Sequence, residues 1–226
     1  MGENHKIDLM ENINAILFDF DFTLADSSKG VEECVSYGFK MLNLPIPSKH
    51  NIFRTIGLSL KDTFIKLAGN QYLNKIDVFS QLFIQKADEV MADLTVILEN
   101  VPEVIHILNN HGFSLGIVST KFRYRIESIL TRENLLEYFD VIVGGEDVEN
   151  HKPDPEGLLL AVKKLKCRRS HSLYIGDSIT DAETAKRADI SFLPILSGMT
   201  LQDSFKDYKI AGILENISEL PNLLGL

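Results

Sequence analysis

Two aspartates, Asp19 and Asp21, stand directly behind a short apolar segment, residues 13–18. A short apolar run of this kind predicts a buried strand of a parallel sheet. Side chains alternate along an extended chain, so both carboxylates are expected to point the same way from the end of that strand. Two charges this close repel each other by about 4 kcal/mol at an effective dielectric constant of roughly 20, which a bound cation or a proton would relieve. Taken alone, the pair fits equally well a turn whose acids serve only as caps.

Polar and charged residues also follow three other predicted strands, which cover residues 114–118, 141–143 and 173–175. Because the carboxyl ends of parallel strands meet at one edge of a sheet, we expect these residues to form one pocket with the first aspartate pair. Carboxylate oxygens and a substrate phosphate are the ligands by which Mg²⁺ is usually held. The pocket therefore predicts a magnesium ion and a phosphoryl group. Its members are Asp19, Asp21, Thr23, Ser119, Lys121, Lys152, Asp177 and Asp181.

The spacing of apolar residues predicts how helices and strands alternate. From about residue 100 onward, short apolar runs alternate with helical patterns, and the last short strands are expected at residues 192–193 and 210–211. This alternation predicts an α/β fold with a parallel sheet covered by helices on both faces. Between the first aspartate pair and residue 100, apolar residues instead recur at helical spacing, with glycines as breaks. We therefore expect a helical insert directly after the first strand.

The composition limits the partners of the chain. Its 226 residues carry a net charge of -9, which argues against nucleic acid or an anionic membrane surface as the main partner. The sequence has neither an apolar run of transmembrane length nor a basic-then-apolar leader, so we expect a cytoplasmic protein. Cys34 and Cys167 stand apart from other metal-ligating residues and fit a reducing compartment. We also expect a monomer or weak dimer, with residues 1–12 as a polar extension.

Four motifs that follow one another along the chain resemble a known family. They are Asp-x-Asp-x-Thr at residues 19–23, Ser-Thr-Lys at 119–121, Lys-Pro-Asp-Pro at 152–155 and Gly-Asp-Ser-Ile-Thr-Asp at 176–181. Together they resemble the haloacid dehalogenase-like phosphohydrolase superfamily, from about Asn14 to the C-terminus. The helical insert is similar to the type 1 cap of phosphoglycolate phosphatase-like and β-phosphoglucomutase-like members. The resemblance implies a Rossmann-like α/β core formed by residues 1–24 and 96–226, and a helical cap domain formed by residues 25–95.

The same resemblance implies a role for each motif residue. Asp19 would be the nucleophile that forms an aspartyl-phosphate, Asp21 the general acid and base, and Lys152 the cation that neutralises charge on Asp19 and the phosphoryl group. Thr23, Ser119, Thr120 and Lys121 are assigned to substrate binding, with Thr23 supporting its loop through a hydrogen bond. Lys121 fits equally well a solvated residue at the start of a helix. The ligands of Mg²⁺ would be Asp19, Asp21 through its backbone carbonyl, Asp177 and Asp181, the last on or just behind the metal shell.

Two residues depart from the family pattern. Phe22 replaces a glycine, and because that slot is variable we expect an effect only on packing toward the cap. Asp189 replaces the glycine on which the helix after the fourth motif commonly ends, so the turn that follows this helix departs from the family pattern.

Several activities fit the resemblance, and the residues rank them. Dehalogenases lack the second carboxylate, which Asp21 supplies here, and a catalytically idle phosphate-binding protein would not need it. A sugar-phosphate mutase would carry a histidine near Lys29-Gly30-Val31-Glu32, where none is found. A phosphonate hydrolase would use a cap lysine, and Lys29 keeps that alternative open in third place. We therefore expect an Mg²⁺-dependent phosphatase acting on a small phosphorylated metabolite similar to phosphoglycolate. Candidate anion contacts on the cap are Arg54, Lys61 and Lys66.

Overall fold

The structure, a computed structural model, describes residues 12–226. Apart from Asn12, the predicted N-terminal extension lies outside the described residues. No helix in the described part of the chain combines the length and the apolar composition needed to cross a bilayer. In chain order, the helices and strands are β1 (Ala15–Phe18), β2 (Ala25–Asp26), α1 (Ser28–Met41), α2 (Lys49–Phe53), α3 (Leu60–Ala68), α4 (Ile76–Leu94), β3 (Val96–Ile97), α5 (Val101–Asn110), β4 (Ser114–Val118), α6 (Arg123–Arg132), β5 (Val141–Val143), α7 (Glu156–Leu165), β6 (Ser172–Gly176), α8 (Ile179–Ala188), β7 (Ser191–Pro194) and α9 (Leu220–Leu223).

Five parallel strands form the main sheet in the order β5-β4-β1-β6-β7. The central strand β1 pairs Phe18 with Ile117 on one side and with Ile175 on the other. This register brings the carboxyl ends of β1, β4 and β6 to the same edge of the sheet. The predicted Rossmann-like α/β fold with a parallel sheet is therefore confirmed.

The sheet is buried on both faces because side chains alternate along its strands. Ile16 and Phe18 of β1 belong to one apolar cluster, with residues of α5 and α6. Leu17 points to the other face and belongs to a second cluster, with residues of α7 and α8. All three side chains are fully buried. Burial on both faces explains why the strand is a continuous apolar run in the sequence rather than an alternating one.

The predicted strand at residues 210–211 is wrong. Ile210 forms only an isolated bridge with Phe192, and a second isolated bridge joins Ile195 and Leu214. The Ala211 N–H donates to the Phe192 carbonyl, but the pairing does not extend beyond this single bridge, so no ladder forms.

Helices α1 to α4 form the helical insert, which we define as residues 28–94. Their apolar faces pack on one another in a cluster separate from those of the sheet. At its centre, the rings of Phe39, Phe64 and Phe79 lie 4.7 to 5.7 Å apart. Helices α2 and α3 begin at Ser48 and Ser59, whose side chains accept hydrogen bonds from backbone N–H groups of the first turn.

The chain enters and leaves the helical insert through two adjacent strands. Strands β2 and β3 pair antiparallel, with Ala25 opposite Ile97 and Asp26 opposite Val96. The predicted domain boundaries at residues 25 and 95 fall beside this pair. That the insert acts as a separate cap domain stays a prediction.

Candidate active site

A tight turn after β1 positions both motif aspartates. The N–H of Asp19 donates to the carbonyl of Ile175, and the N–H groups of Leu24 and Ala25 both donate to the carbonyl of Phe20. The turn therefore continues the sheet by one residue and then folds back on itself. Asp19 and Asp21 are both buried, with 2% and 6% of their surfaces exposed.

Phe22 adopts a left-handed backbone conformation within this turn. Its φ of 60° is a region that glycine enters freely and that costs other residues about 1–2 kcal/mol. Ser197 donates a hydrogen bond to its carbonyl oxygen and helps to hold the turn. The replacement of glycine therefore affects the backbone, so the expectation of an effect only on packing toward the cap is wrong. Asp189 is likewise left-handed, with φ 56°, and ends α8 where glycine would be unstrained.

Three buried carboxylates converge beside the end of β1. Asp19, Asp177 and Asp181 each place a carboxylate oxygen within 4.8 Å of the others. Nζ of Lys152 lies 2.8 Å from Oδ1 of Asp19 and 2.6 Å from Oδ1 of Asp181. Lys152 thus pairs with two of the three acids, so ionisation of all three would leave excess negative charge.

Burial and mutual repulsion change the acidity of this cluster. Burial raises the pKa of Asp19 to about 7, although the Lys152 charge lowers it and the Asp181 charge raises it. Burial also raises the pKa of Asp177 well above its usual range, and the charges of Asp181 and Asp19 add to that effect. Ionising both Asp19 and Asp177 therefore costs free energy unless a further cation is bound nearby.

The donor set fits a magnesium ion. Carboxylate oxygens are the ligands that Mg²⁺ prefers. The buried Oδ1 of Asp19 accepts no well-directed hydrogen bond within residues 12–226, so its contact with Lys152 is an ion pair only. A divalent cation beside Asp19 and Asp177 would give that oxygen a partner and offset the excess negative charge.

Asp181 is held by four donors of the protein itself. Its Oδ1 accepts hydrogen bonds from Lys152 Nζ and from the Tyr174 hydroxyl, at 2.6 and 2.9 Å. Its Oδ2 accepts from the backbone N–H and the hydroxyl of Ser178, the residue that caps α8. Both oxygens are therefore engaged, and Asp181 fixes the position of the Lys152 side chain.

Asp21 lies apart from the three-carboxylate cluster. Its Oδ1 accepts a hydrogen bond from the Ser27 hydroxyl at 2.5 Å and lies 3.3 Å from Nζ of Lys121. Lys121 is thus a buried partner of the predicted acid–base residue rather than a solvated residue, since only 8% of its surface is exposed. The predicted contact of the Asp21 backbone carbonyl with Mg²⁺ stays a prediction.

The predicted substrate-binding hydroxyls have different surroundings. Ser119 is buried, and its Oγ accepts a hydrogen bond from the N–H of Lys121. Thr120 donates its hydroxyl to the carbonyl of Gly57 in the helical insert, at 3.2 Å. Thr23 supports its loop through its backbone N–H, which donates to the Phe20 carbonyl. Its buried hydroxyl has no hydrogen-bond partner within residues 12–226.

A cavity of about 70 Å³ lies between the sheet edge and the helical insert. Asp21, Thr120, Lys121 and Arg125 line it from the core. The expected anion contacts on the insert do not reach it in the described part of the chain. They are Arg54, Lys61 and Lys66, and all three side chains are exposed.

Arg125 joins the core to the helical insert. Its Nε and Nη2 donate to Oδ1 of Asp88 at 3.0 and 2.6 Å, and Nη2 also donates to the carbonyl of Ile84. The Tyr124 hydroxyl donates to the same oxygen of Asp88. We call this contact the Arg125–Asp88 link.

Sequence reasoning missed three residues of the site. Arg125 gave no signal because its partner lies 37 residues away. Tyr174 occupies a buried strand, where its hydroxyl is indistinguishable from an ordinary core aromatic. Gly198 lies so close to Asp177 that an added Cβ would meet Oδ2 at 1.9 Å. A glycine soon after the last apolar strand was the only available hint.

Comparison with known proteins places the chain in a family. The family model of haloacid dehalogenase-like hydrolases matches residues 16–195. A phosphoglycolate phosphatase of Salmonella choleraesuis is 27% identical over 97% of this chain and 96% of its own length. Pyrophosphatase PpaX of Oceanobacillus iheyensis is 28% identical over 95% of this chain and 98% of its own.

Solved structures agree with this placement. A crystal structure from Bacteroides fragilis, assigned to the haloacid dehalogenase-like hydrolases, shares 39% identity and superposes with a TM-score of 0.89, over 92% of this chain and 99% of that one. The predicted resemblance, with its phosphoglycolate phosphatase-like branch, is confirmed. The chain belongs to the haloacid dehalogenase-like hydrolases.

Proposed function

We propose that the protein is an Mg²⁺-dependent phosphatase that hydrolyses a small phosphomonoester through an aspartyl-phosphate on Asp19. The observation that carries the proposal is the ion pair of Lys152 with Asp19, 2.8 Å apart, beside a second buried carboxylate on Asp177. The names of the phosphatase and pyrophosphatase relatives support this reaction class. Phosphoglycolate, the substrate class expected from the sequence, is the first compound to test.

In the first step, a carboxylate oxygen of Asp19 bonds to phosphorus while the bond to the leaving-group oxygen breaks. Lys152 offsets the negative charge of Asp19 and of the phosphoryl group, and Asp181 holds Lys152 in place. Electrostatic stabilisation of this kind is the main term in phosphoryl transfer. Mg²⁺ on Asp19, Asp177 and the Asp21 backbone carbonyl would neutralise further charge on the phosphoryl oxygens.

Asp21 would move the protons of both steps. Its carboxyl group gives a proton to the leaving alcohol and then takes one from the water that hydrolyses the aspartyl-phosphate. Hydrogen bonding from Ser27 and the ion pair with Lys121 orient the carboxylate at the edge of the cavity. Ser119 is proposed to donate to a phosphoryl oxygen.

Two observations favour phosphatase chemistry over the alternative activities. Val31 lines the cavity with an apolar side chain in the segment where a mutase would carry a histidine. Lys29 is exposed to solvent and does not line the cavity, which argues against a Schiff base with a phosphonate substrate. Cytoplasmic location and a monomeric or weakly dimeric state stay predictions.

Trapping the phosphoenzyme tests the proposal and the idle-binder alternative together. Asp21→Asn should keep the nucleophile but slow the hydrolytic step, so an activated aryl or acyl phosphate with Mg²⁺ should leave a phosphoryl group on Asp19. Mass spectrometry of the acid-quenched protein measures that adduct and maps it. Asp19→Asn is the matched control and should show none. Turnover that persists in EDTA, or a phosphoryl group mapped to another residue, would contradict the proposal.

A further inference from the structure

The insert side of the cavity is mostly apolar. Its apolar side chains are Val31, Ile56, Leu58, Leu60, Phe83 and Met91, and Thr55 and Thr63 also line it. The cavity borders Asp21, the residue proposed to protonate the leaving group, so the leaving group of the substrate would lie against this wall. Apolar walls stabilise apolar parts of a ligand and give no compensation to a charge.

The charged groups that line the cavity already have partners. Arg125 is engaged by Asp88 and by the Ile84 carbonyl. Lys121 faces Asp21 at 3.3 Å. The cavity therefore offers no unpaired cation from residues 12–226 to a second anionic group on a substrate.

The hydroxyl groups of the lining are also engaged. Thr55 donates to the carbonyl of Ile52, and Thr63 donates to the carbonyl of Thr55. Thr120 donates to the carbonyl of Gly57. A carboxylate held here would have to displace internal hydrogen bonds, whereas an uncharged alcohol needs at most one donor.

The size of the cavity limits the leaving group. Its volume of about 70 Å³ holds roughly five water-sized groups, at about 10–15 Å³ for each. A short branched or linear alcohol of that size fills the space without a further pocket.

We infer that the preferred substrate is the phosphate ester of a small, uncharged and largely apolar alcohol, and that esters with a carboxylate in the leaving group are disfavoured. The inference rests on the proposed phosphatase activity and names its substrate class. An ionised carboxylate left without a partner in an apolar site is strongly disfavoured.

Isobutyl phosphate and phosphoglycolate provide the test, because their leaving groups have the same number of non-hydrogen atoms and differ in charge. With Mg²⁺ and the unmodified protein, kcat/KM for isobutyl phosphate should exceed that for phosphoglycolate by about tenfold or more, the range seen for apolar discrimination in enzyme pockets. p-Nitrophenyl phosphate serves as the activated reference substrate. A ratio near one, or a preference for phosphoglycolate, overturns the inference and leaves the phosphatase proposal standing.

A cation placed in the wall should reverse the preference. In Leu58→Lys, the ratio of phosphoglycolate to isobutyl phosphate turnover should rise by about tenfold or more. Leu73→Lys is the matched control, since Leu73 is 50% exposed on the insert and does not line the cavity. An unchanged ratio in folded Leu58→Lys counts against the inference. If no ester, p-nitrophenyl phosphate included, is hydrolysed with Mg²⁺, the phosphatase proposal fails and the inference fails with it.

Discussion

The two sides of the cavity differ in polarity: the sheet edge is charged and the helical insert is mostly apolar. At the sheet edge, Lys152 and three carboxylates lie buried within a few ångströms of one another, and their charges are only partly offset. Across the cavity, the helical insert presents apolar side chains. Excess charge at the edge can act on a transferring phosphoryl group, which every substrate has in common. The apolar wall acts on the leaving group, which differs between substrates. Substitutions at the edge should therefore change the rate for all esters alike, and substitutions in the wall should change their ranking.

Lys152→Met should have the largest effect. The substitution keeps the length of the side chain but removes the charge that faces Asp19 and Asp181. We expect kcat to fall by about 10²- to 10³-fold for every phosphoester, the usual loss when one electrostatic contact to the transition state is removed. Steady-state kinetics on three esters measures it. The exposed Lys163 on α7 gives the control Lys163→Met, which should be unaffected. A loss confined to one ester would contradict the expectation that substitutions at the sheet edge slow all esters alike.

Gly198→Ala should weaken Mg²⁺ binding. The added Cβ would lie 1.9 Å from Oδ2 of Asp177, so the carboxylate must shift. Displacing a metal ligand through its supporting shell typically costs about 10- to 100-fold in metal affinity. The readouts are the Mg²⁺ concentration for half-maximal activity and the thermal shift on adding Mg²⁺ to the resting protein. In the control Gly212→Ala, the nearest contact would be 3.3 Å, to Leu193. Equal Mg²⁺ affinity in both variants would argue that Asp177 is not a ligand.

Tyr174→Phe should have an intermediate effect. The fully buried hydroxyl accepts a hydrogen bond from Lys152 at 3.1 Å and donates to Asp181 at 2.9 Å. Burial and the nearby Asp181 charge raise the pKa of Tyr174 well above its usual range, so the hydroxyl remains a donor. Removing it should lower the free energy of unfolding by about 1–2 kcal/mol and kcat by about three- to tenfold.

Denaturant unfolding and kinetics measure the two effects of Tyr174→Phe. Tyr208→Phe is the control, because Tyr208 lies outside the charged cluster and is only partly buried. Wild-type kcat in Tyr174→Phe would show that Asp181 alone positions Lys152.

Asp88→Asn should have the smallest effect. The substitution keeps the shape of the Arg125–Asp88 link but removes its negative charge, and the Asp88 side chain is 49% exposed. Arg125 is buried but keeps its hydrogen bond to the Ile84 carbonyl and can keep one to the remaining oxygen at position 88, so the loss should be about 1 kcal/mol. The melting temperature should then fall by no more than about 4 °C. Thermal unfolding checks this against Asp93→Asn, an exposed acid on the same helix. A large loss of activity would mean that the Arg125–Asp88 link also contributes to turnover.

The sequence predicted the strand edge well because its signals are local. Asp19, Ser119 and Asp177 each follow an apolar run directly, and a parallel sheet brings the ends of such runs together whatever lies between them. The buried strand β1 and the helical stripes of the insert were predictable for the same reason. The isolated bridge at Ile210 was mistaken for a strand because two apolar residues carry little periodic information.

The contacts across the cavity could not be predicted. Arg125 meets Asp88 and Thr120 meets Gly57 only because the insert packs on α6 at one particular angle, which no periodicity encodes. Lys121 was ambiguous for the same reason, since its partner Asp21 lies a hundred residues earlier in the chain. Charge pairing between distant segments depends on the path of the backbone, and this path is set by the packed core as a whole.

Because strands β2 and β3 are paired, another segment could replace the helical insert between them at little cost in loop-closure entropy. Ala25 lies opposite Ile97, so the entry and exit of about seventy residues are direct neighbours in a two-residue ribbon. The entropy cost of closing a loop rises by only about 0.6 kcal/mol for each doubling of its length. A longer, shorter or unrelated segment spliced between these strands would therefore change the cost of closing the loop very little. A different insert could therefore change which substrates are preferred while the residues at the sheet edge stay the same.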